Sequence, residues 1–317
     1  MTACIICDRE MSPWLRQPLD PKKNTASAYE DFSYCRPCAF GSMTTTPPAA
    51  DIPGFYQLGA YYTQGESHIK PAPQRLQDKL LTKLAFWADR GRARAADDFK
   101  ALVPENAQTL DVGCGAGDLL KDYAQLGWSA SGVEPDPSAV SREAPFRVFQ
   151  GTAEDMPADL QTGGYDLISM THVLEHCIDP VRALENVRRL LKDDGVFWCE
   201  VPNCGCIHFN DINVCSEMFD APRHIHFFTP GSLRKIMDKA GFDVTDVYFH
   251  GYTRHHNRDW REWERTISAN TKRLAPDAAA PDHTFLKSAG ILLRSAFAPK
   301  ERKYDCVGVI ARKKPAG

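Results

Sequence analysis

The sequence predicts an α/β protein built on a doubly wound, mostly parallel seven-stranded sheet, with a small metal-binding ribbon at the N-terminus and a helical insertion near the C-terminus. Three observations predict it. Short apolar strand candidates alternate with helical patterns between Gln108 and Ala311. Within them, Thr109-Leu110-Asp111-Val112-Gly113-Cys114-Gly115-Ala116-Gly117-Asp118 reads as a buried strand, a glycine turn whose backbone can touch a ligand, and a helix start. Two C-x-x-C pairs stand within the first 38 residues.

At 317 residues the chain can bury one full core and carry additions at both ends. The expected division is a ribbon over 1–45, a linker with an aromatic cluster over 46–73, and a catalytic domain over 74–317 with an insertion at 251–303. No apolar run reaches the ~18 residues of a membrane span, and the N-terminus has no basic-then-apolar signal, so a cytoplasmic location is expected. The net charge of -3 gives no general footprint for nucleic acid. Charge is unevenly spread: residues 254–317 carry 14 Lys and Arg against 7 Asp and Glu.

Cys4-Ile5-Ile6-Cys7 and Cys35-Arg36-Pro37-Cys38 each bend the chain so that two thiolates face one point. Two such knuckles complete a closed, tetrahedral, structural zinc site with no open position for chemistry. The polar stretch between them could not form a core unaided, and metal would supply the missing folding energy. Unrelated thiols or a redox pair are the alternatives, but no βαβ context surrounds either pair. Met43 to Pro53 reads as a linker. Phe55 to Tyr62 is an aromatic cluster, and from Gln74 to about Val103 a helical pattern puts Leu76, Leu80, Leu84 and Trp87 on one stripe, expected to lie on the sheet.

Strands are expected at Gln108 to Val112, Ala130 to Val133, Arg147 to Phe149, Asp166 to Met170, Gly195 to Val201, Val244 to Phe249 and Asp305 to Ala311. Ligands bind at the carboxyl ends of such strands. The loops there hold Gly113 to Gly117, Glu134, Glu154 and Asp155, Thr171 and His172, and Pro202 with Asn203. Glu134 ends the second strand, where a carboxylate can take the two hydroxyls of a ribose. The glycines fall as G-x-G-x-G between Asp111 and Asp118, and flanking acids suit a ligand with a cationic or hydroxyl-rich end better than a pyrophosphate.

This string resembles motif I of the class I S-adenosylmethionine (SAM) dependent methyltransferases, a Rossmann-like family. Val133-Glu134-Pro135-Asp136 resembles its ribose-binding second motif, and Gly151-Thr152-Ala153-Glu154-Asp155-Met156-Pro157 the loop that holds the adenine amino group. Tyr165 to His176 looks like the fourth strand and the segment after it, and Leu191 to Phe197 the turn into the fifth. The resemblance implies SAM as cofactor. Asp111, Gly113, Cys114, Gly115 and Gly117 would hold its methionine end, Glu134 and Pro135 the ribose, and Glu154 and Asp155 the adenine. Thr171 would line the same site, and Tyr61 or Tyr62 would cover the methionine end.

His172-Val173-Leu174-Glu175-His176 also fits the H-x-x-E-H signature of zinc proteases, but that motif lies within a long helix and this one follows a buried strand. Ala221 to Pro230 is a second cluster. Thr229 can cap a helix starting at Pro230, which fixes the residues before it. With the ribbon, this stretch looks like the deoxysugar C-methyltransferases, and the match transfers to His224 alone. Arg223 stands where that family has Glu, and Phe227 or Phe228 where it has Tyr, which puts proton abstraction from a sugar carbon in doubt.

These readings converge on transfer of a methyl group to a small-molecule acceptor, a sugar, nucleotide sugar or other biosynthetic intermediate. An unperturbed His with pKa ~6.5 suits the base: His224 first, with His172 and His176 behind it. The insertion, with His255, His256 and Arg258 to Arg265, reads as solvated helices or as a basic lid for an anionic acceptor. Two rival readings are an RNA methyltransferase that uses the ribbon for recognition, and a non-catalytic SAM-binding assembly protein.

Overall fold

The computed structural model describes residues 2–57, 75–88, 91–136, 138, 146–251 and 260–315. Tyr61, Tyr62, His255, His256 and Arg258 lie outside the described residues, as does the side chain of Trp87.

In chain order the strands are β1 (Ser12–Arg16), β2 (Leu19–Asp20), β3 (Thr25–Ala26), β4 (Asp31–Cys35), β5 (Phe40–Met43), β6 (Gln108–Val112), β7 (Ser129–Glu134), β8 (Arg147–Gln150), β9 (Tyr165–Thr171), β10 (Leu191–Pro202), β11 (His226–Phe227), β12 (Phe242–His250) and β13 (Cys306–Lys313). The helices are α1 (Ile52–Tyr56), α2 (Leu76–Ala88), α3 (Asp118–Gln125), α4 (Pro180–Leu190), α5 (Ile207–Ile212), α6 (Pro230–Lys239), α7 (Trp260–Leu274), α8 (Phe285–Ala296) and α9 (Lys300–Lys303). Capping follows the local sequence. Asp179 accepts from the Arg182 amide ahead of Pro180, and Thr284 accepts from the Lys287 amide.

Two compact units emerge. One holds Arg94–Val201, Leu233–Tyr248 and Gly308–Gly317. Its seven-stranded sheet has the order β12-β13-β10-β9-β6-β7-β8, with parallel pairing from β10 through β8. From β6 the chain winds outward to β8 and then returns to β9 on the other side. The strand order therefore reverses between β6 and β9, which opens a crevice at their carboxyl ends. Phe99 tilts against Trp198 with ring centroids 4.8 Å apart, and Leu120, Tyr123 and Trp128 complete that part of the core.

The other unit holds Met1–Ala93, Pro202–Ser232 and Phe249–Val307. Its four-stranded sheet runs β1-β4-β5-β11, so the strand that completes the ribbon comes from a segment more than 180 residues downstream. His226 pairs with Ser42 and Phe227 with Gly41. The apolar partners that residues 1–45 lack arrive with that segment: Phe32 meets the edges of Phe219 and Phe227, centroids 4.7 and 5.5 Å away. Within the insertion, Glu264 of α7 accepts from His208 at 2.5 Å and His283 at 2.7 Å, all three buried.

One expectation is corrected. The long helix from Gln74 to Val103 is α2 followed by a separate 3-10 turn, Ala96–Phe99. Leu76, Leu80 and Leu84 face solvent, and the buried positions are Leu81, Thr82 and Ala85. Leu80 and Leu84 each precede a buried position by one residue, about 100° around the helix. Periodicity finds an apolar stripe but does not say which of two stripes is covered. The packing partner of α2 is α8.

Candidate active site

The glycine loop leaves β6 in the left-handed region. Gly113, Gly115 and Gly117 have φ of 76°, 48° and 77°, conformations that a side chain resists. A Cβ on Gly113 would also lie 2.3 Å from Val173 Cγ2. The amides of Gly113 and Cys114 donate to the Val133 carbonyl at 2.7 and 3.2 Å, which ties the loop to the end of β7. Glu134, the last residue of β7, accepts from the Gly115 amide at 2.8 Å and from the Asp136 amide at 3.1 Å. A bare backbone loop beside a fixed carboxylate is the donor and acceptor set that an amino acid joined to a ribose calls for, so the residues fit SAM.

The remaining positions expected to bind the cofactor divide by local bonding. Asp111 is buried and accepts from Ser169 Oγ at 2.7 Å; burial pushes its carboxyl up to about 7 against that bond, with Glu134 adding to the rise. The Cys114 side chain packs on Gly132, where an added Cβ would lie 2.5 Å from its Sγ. Only the backbone of Cys114 is therefore left for a ligand. Glu154 accepts from the Ile178 amide at 2.7 Å and bolts its loop to the start of α4. Asp155 is exposed, and Pro135 stands exposed beside Glu134. Thr171 closes β9.

After β9 comes His172 with φ 55°, a non-glycine residue held in the left-handed region. Its Nδ1 lies 3.3 Å from Glu175 and its Nε2 3.4 Å from Glu200. Tyr248 of β12 donates to Glu200 Oε2 at 2.7 Å, and Trp198 Nε1 donates in turn to the Tyr248 hydroxyl. Burial disfavours the charged ring, but the two carboxylates outweigh it and raise the pKa to about 10. The two carboxylates thus favour a charged His172 ring, clamped at the strand ends. Sequence reading missed Glu200 and Tyr248. The signal was Glu200 itself, a lone carboxylate inside the apolar run Phe197-Trp198-Cys199-Glu200-Val201, which must be buried with a partner. His176 ends the short turn Leu174–His176 and is half-buried.

In the other unit, His224 Nδ1 is 2.9 Å from the Met218 carbonyl. A carbonyl only accepts, so Nδ1 carries a proton and donates it to that bond. Arg223 beside it is fully buried. It reaches Asp20 with Nη2 at 2.7 Å, Asp220 with Nε at 2.8 Å, and the carbonyls of Phe55 and Ala221. Burial pushes the Asp220 carboxyl up, but Arg223 and Lys22 hold it well below the usual carboxylate range. Arg223 therefore locks the segment before His224 onto Asp20 of the ribbon. Thr229 Oγ1 donates to the Ala39 carbonyl at 2.9 Å, and the Met43 amide to the Ile225 carbonyl at the same distance.

Cys4, Cys7, Cys35 and Cys38 bring their sulfurs within 4.8 Å of one another, with 3.6 Å between Cys7 and Cys35. Four sulfurs ~2.3 Å from one ion stand about 3.8 Å apart, so the cluster has the dimensions of a tetrahedral thiolate site. Both knuckles turn alike: Asp8 and Ala39, each directly after the second Cys of its pair, have φ of 59° and 52°.

Sequence comparison bears on the same residues. The profile of a methyltransferase domain matches residues 81–247, just over half of the chain. The ubiquinone biosynthesis O-methyltransferase of Cereibacter sphaeroides is 29% identical over 224 residues, 65% of this chain and 87% of that protein. The enzyme of the same name from Caulobacter vibrioides is 30% identical over 163 residues, 49% of this chain and 63% of its own. Among solved structures, a chain from the complex of the Trm112 methyltransferase activator with a methyltransferase of Haloferax volcanii has a TM-score of 0.47 at 16% identity, covering 77% of this chain and all of that one. A SAM-dependent methyltransferase of Thermotoga maritima has a TM-score of 0.44 at 20% identity, covering 74% and 92%. The matched stretch takes in the strands that carry the glycine loop, Glu134 and His172, and on that match the chain belongs to the methyltransferase domain family, as a class I SAM-dependent methyltransferase.

Proposed function

We propose that the protein methylates an oxygen of a small-molecule acceptor, a sugar, nucleotide sugar or other biosynthetic intermediate, with His224 as general base. The relatives named ubiquinone biosynthesis O-methyltransferase support oxygen as the acceptor atom and a small molecule as its carrier. The basic C-terminal stretch favours an anionic one. Bound SAM supplies a methyl group already activated by its sulfonium charge, which leaves the protein to align a nucleophile and take its proton. The glycine loop and Glu134 hold the methionine and ribose ends. Asp155 takes the adenine amino group, since Glu154 is spent on the Ile178 amide.

The observation that carries the base assignment is the held ring of His224. Its Nδ1 donates to the Met218 carbonyl, which fixes the orientation of the ring on the buried segment ahead of α6, as a base needs. His172 is set behind His224 for that role, because Glu175 and Glu200 stand against both of its ring nitrogens and favour the charged form, which has no lone pair to offer. In the ribbon, the four cysteines hold a structural zinc ion, closed to substrate.

Two measurements test the reading. Labelled methyl from SAM is offered to a host extract separated into small metabolites, nucleotide sugars and glycans, RNA, and protein. Label in the first two pools supports it, and label confined to RNA overturns it. His224→Ala is expected to keep SAM affinity and slow transfer by about 10²–10⁴-fold, and full turnover would remove His224 from the reaction.

A further inference from the structure

The Leu stripe of α2 that faces solvent has a counterpart. On α8, Leu286, Leu293 and Phe297 just beyond its end also point outward, with Phe297 86% and Leu286 80% exposed, while Ser288, Ile291 and Ser295 form the buried face. The two helices pack on each other. Each therefore carries one face turned inward and an apolar one turned to water, and large apolar side chains so gathered mark an interaction site. Their setting is basic. Over Leu76–Ala88 and Phe285–Lys303 there are seven Lys and Arg against two Asp and Glu. Lys79 and Lys83 are exposed along the Leu stripe of α2, and Lys300 and Arg302 are exposed just past Phe297.

We propose that this α2–α8 face docks the protein on an anionic lipid bilayer. Leu and Phe at the centre with Lys and Arg at the edge is the arrangement by which a surface helix lies in the headgroup layer, apolar side chains inserted and ammonium groups at the level of the phosphates. The same charge argues against a second copy as occupant, because a two-fold pairing would set two basic faces against each other. Among the described residues no helix is long and apolar enough to cross a membrane, so the contact is peripheral. The inference stands on these exposed helices alone and does not depend on which acceptor is methylated.

Co-sedimentation of the full chain with vesicles tests it. Vesicles of phosphatidylcholine with about 30% phosphatidylglycerol are expected to bind at least about tenfold more tightly than pure phosphatidylcholine, with the difference shrinking as salt is raised. Leu80→Ser with Leu293→Ser removes apolar groups that stand in water, so fold and SAM affinity should persist while vesicle binding falls. Lys79→Glu with Lys83→Glu should weaken the anionic vesicles selectively. Absence of binding to anionic vesicles overturns the proposal, as does binding that the Leu→Ser pair leaves unchanged. A concentration-dependent dimer abolished by the Leu→Ser pair, without vesicle binding, would assign the face to a second copy instead.

Discussion

Glu200→Gln isolates the charge state of His172. The ring is 21% exposed and lies 3.3 and 3.4 Å from two carboxylates, and its pKa stands at about 10 against an ordinary 6.5. Each unit of such a rise corresponds to about 1.4 kcal/mol of preference for the charged form. Taking one carboxylate away should lower the pKa by about 2 units, because burial then opposes a single Glu. The sign of the stability effect follows from linkage. A folded-state pKa raised above the unfolded value stabilises the protein fully below about pH 6.5, and the contribution is lost as pH rises through about 10. At pH 7 it amounts to at most about 4 kcal/mol in the wild type, an upper bound since water screens a partly exposed ring. In Glu200→Gln that window should close near pH 8, about 2 units earlier. The assay is a pH titration of the His172 Cε1 proton by NMR alongside urea unfolding at several pH values. A wild-type His172 that titrates near its unperturbed value would refute the clamp and remove the ground for setting His172 behind His224.

Two other variants address the loop and the segment before His224. Gly113→Val combines a φ of 76° with a Cβ 2.3 Å from Val173, so SAM affinity measured by calorimetry should be lost; retained affinity would sink the loop as cofactor site. Arg223→Met leaves Asp20 and Asp220 buried without their cation and should cost about 3–5 kcal/mol in denaturant unfolding, and a cost below about 1 kcal/mol would show that the ion pairs do not anchor the segment.

Much of the sheet was legible because a buried parallel strand is a local signal: a short apolar run that ends at a turn. The expected strand Asp166 to Met170 lies within β9, and Val244 to Phe249 within β12. The glycine loop was legible for the same reason, since the glycines that shape it stand next to one another in the chain. What escaped was set by packing at long range. Glu200 and Tyr248 are 48 positions apart, and neither is informative until β10 and β12 bring them together. Arg223 read as a departure from the sugar-methyltransferase pattern, and its meaning lies in Asp20, 203 positions away. The stripe of Leu76, Leu80 and Leu84 had the right period and the wrong face, because hydrophobic periodicity locates a stripe and leaves its cover unspecified.

The ribbon shows most clearly what long-range packing adds. Cys35 ends β4 and Cys38 lies two residues before β5, so the second knuckle is the turn of the hairpin on which β11 is laid. Ala39, held at φ 52° in that turn, gives its carbonyl to Thr229. A non-glycine residue in that region costs on the order of 1 kcal/mol, which binding of the proposed zinc would offset many times over. Stripping the proposed zinc should therefore loosen the hairpin and, through β11 and Thr229, the chain around His224. Amide exchange across residues 225–229 should accelerate at least about tenfold, while SAM affinity, assigned in the proposal to the glycine loop and Glu134, should stay within about threefold. Unchanged exchange on metal loss would detach the knuckle from β11 energetically. Faster exchange would mean that the metal governs the rigidity of the proposed base, so that the ribbon acts by holding His224 and its neighbours in place and has no need to recognise a substrate of its own.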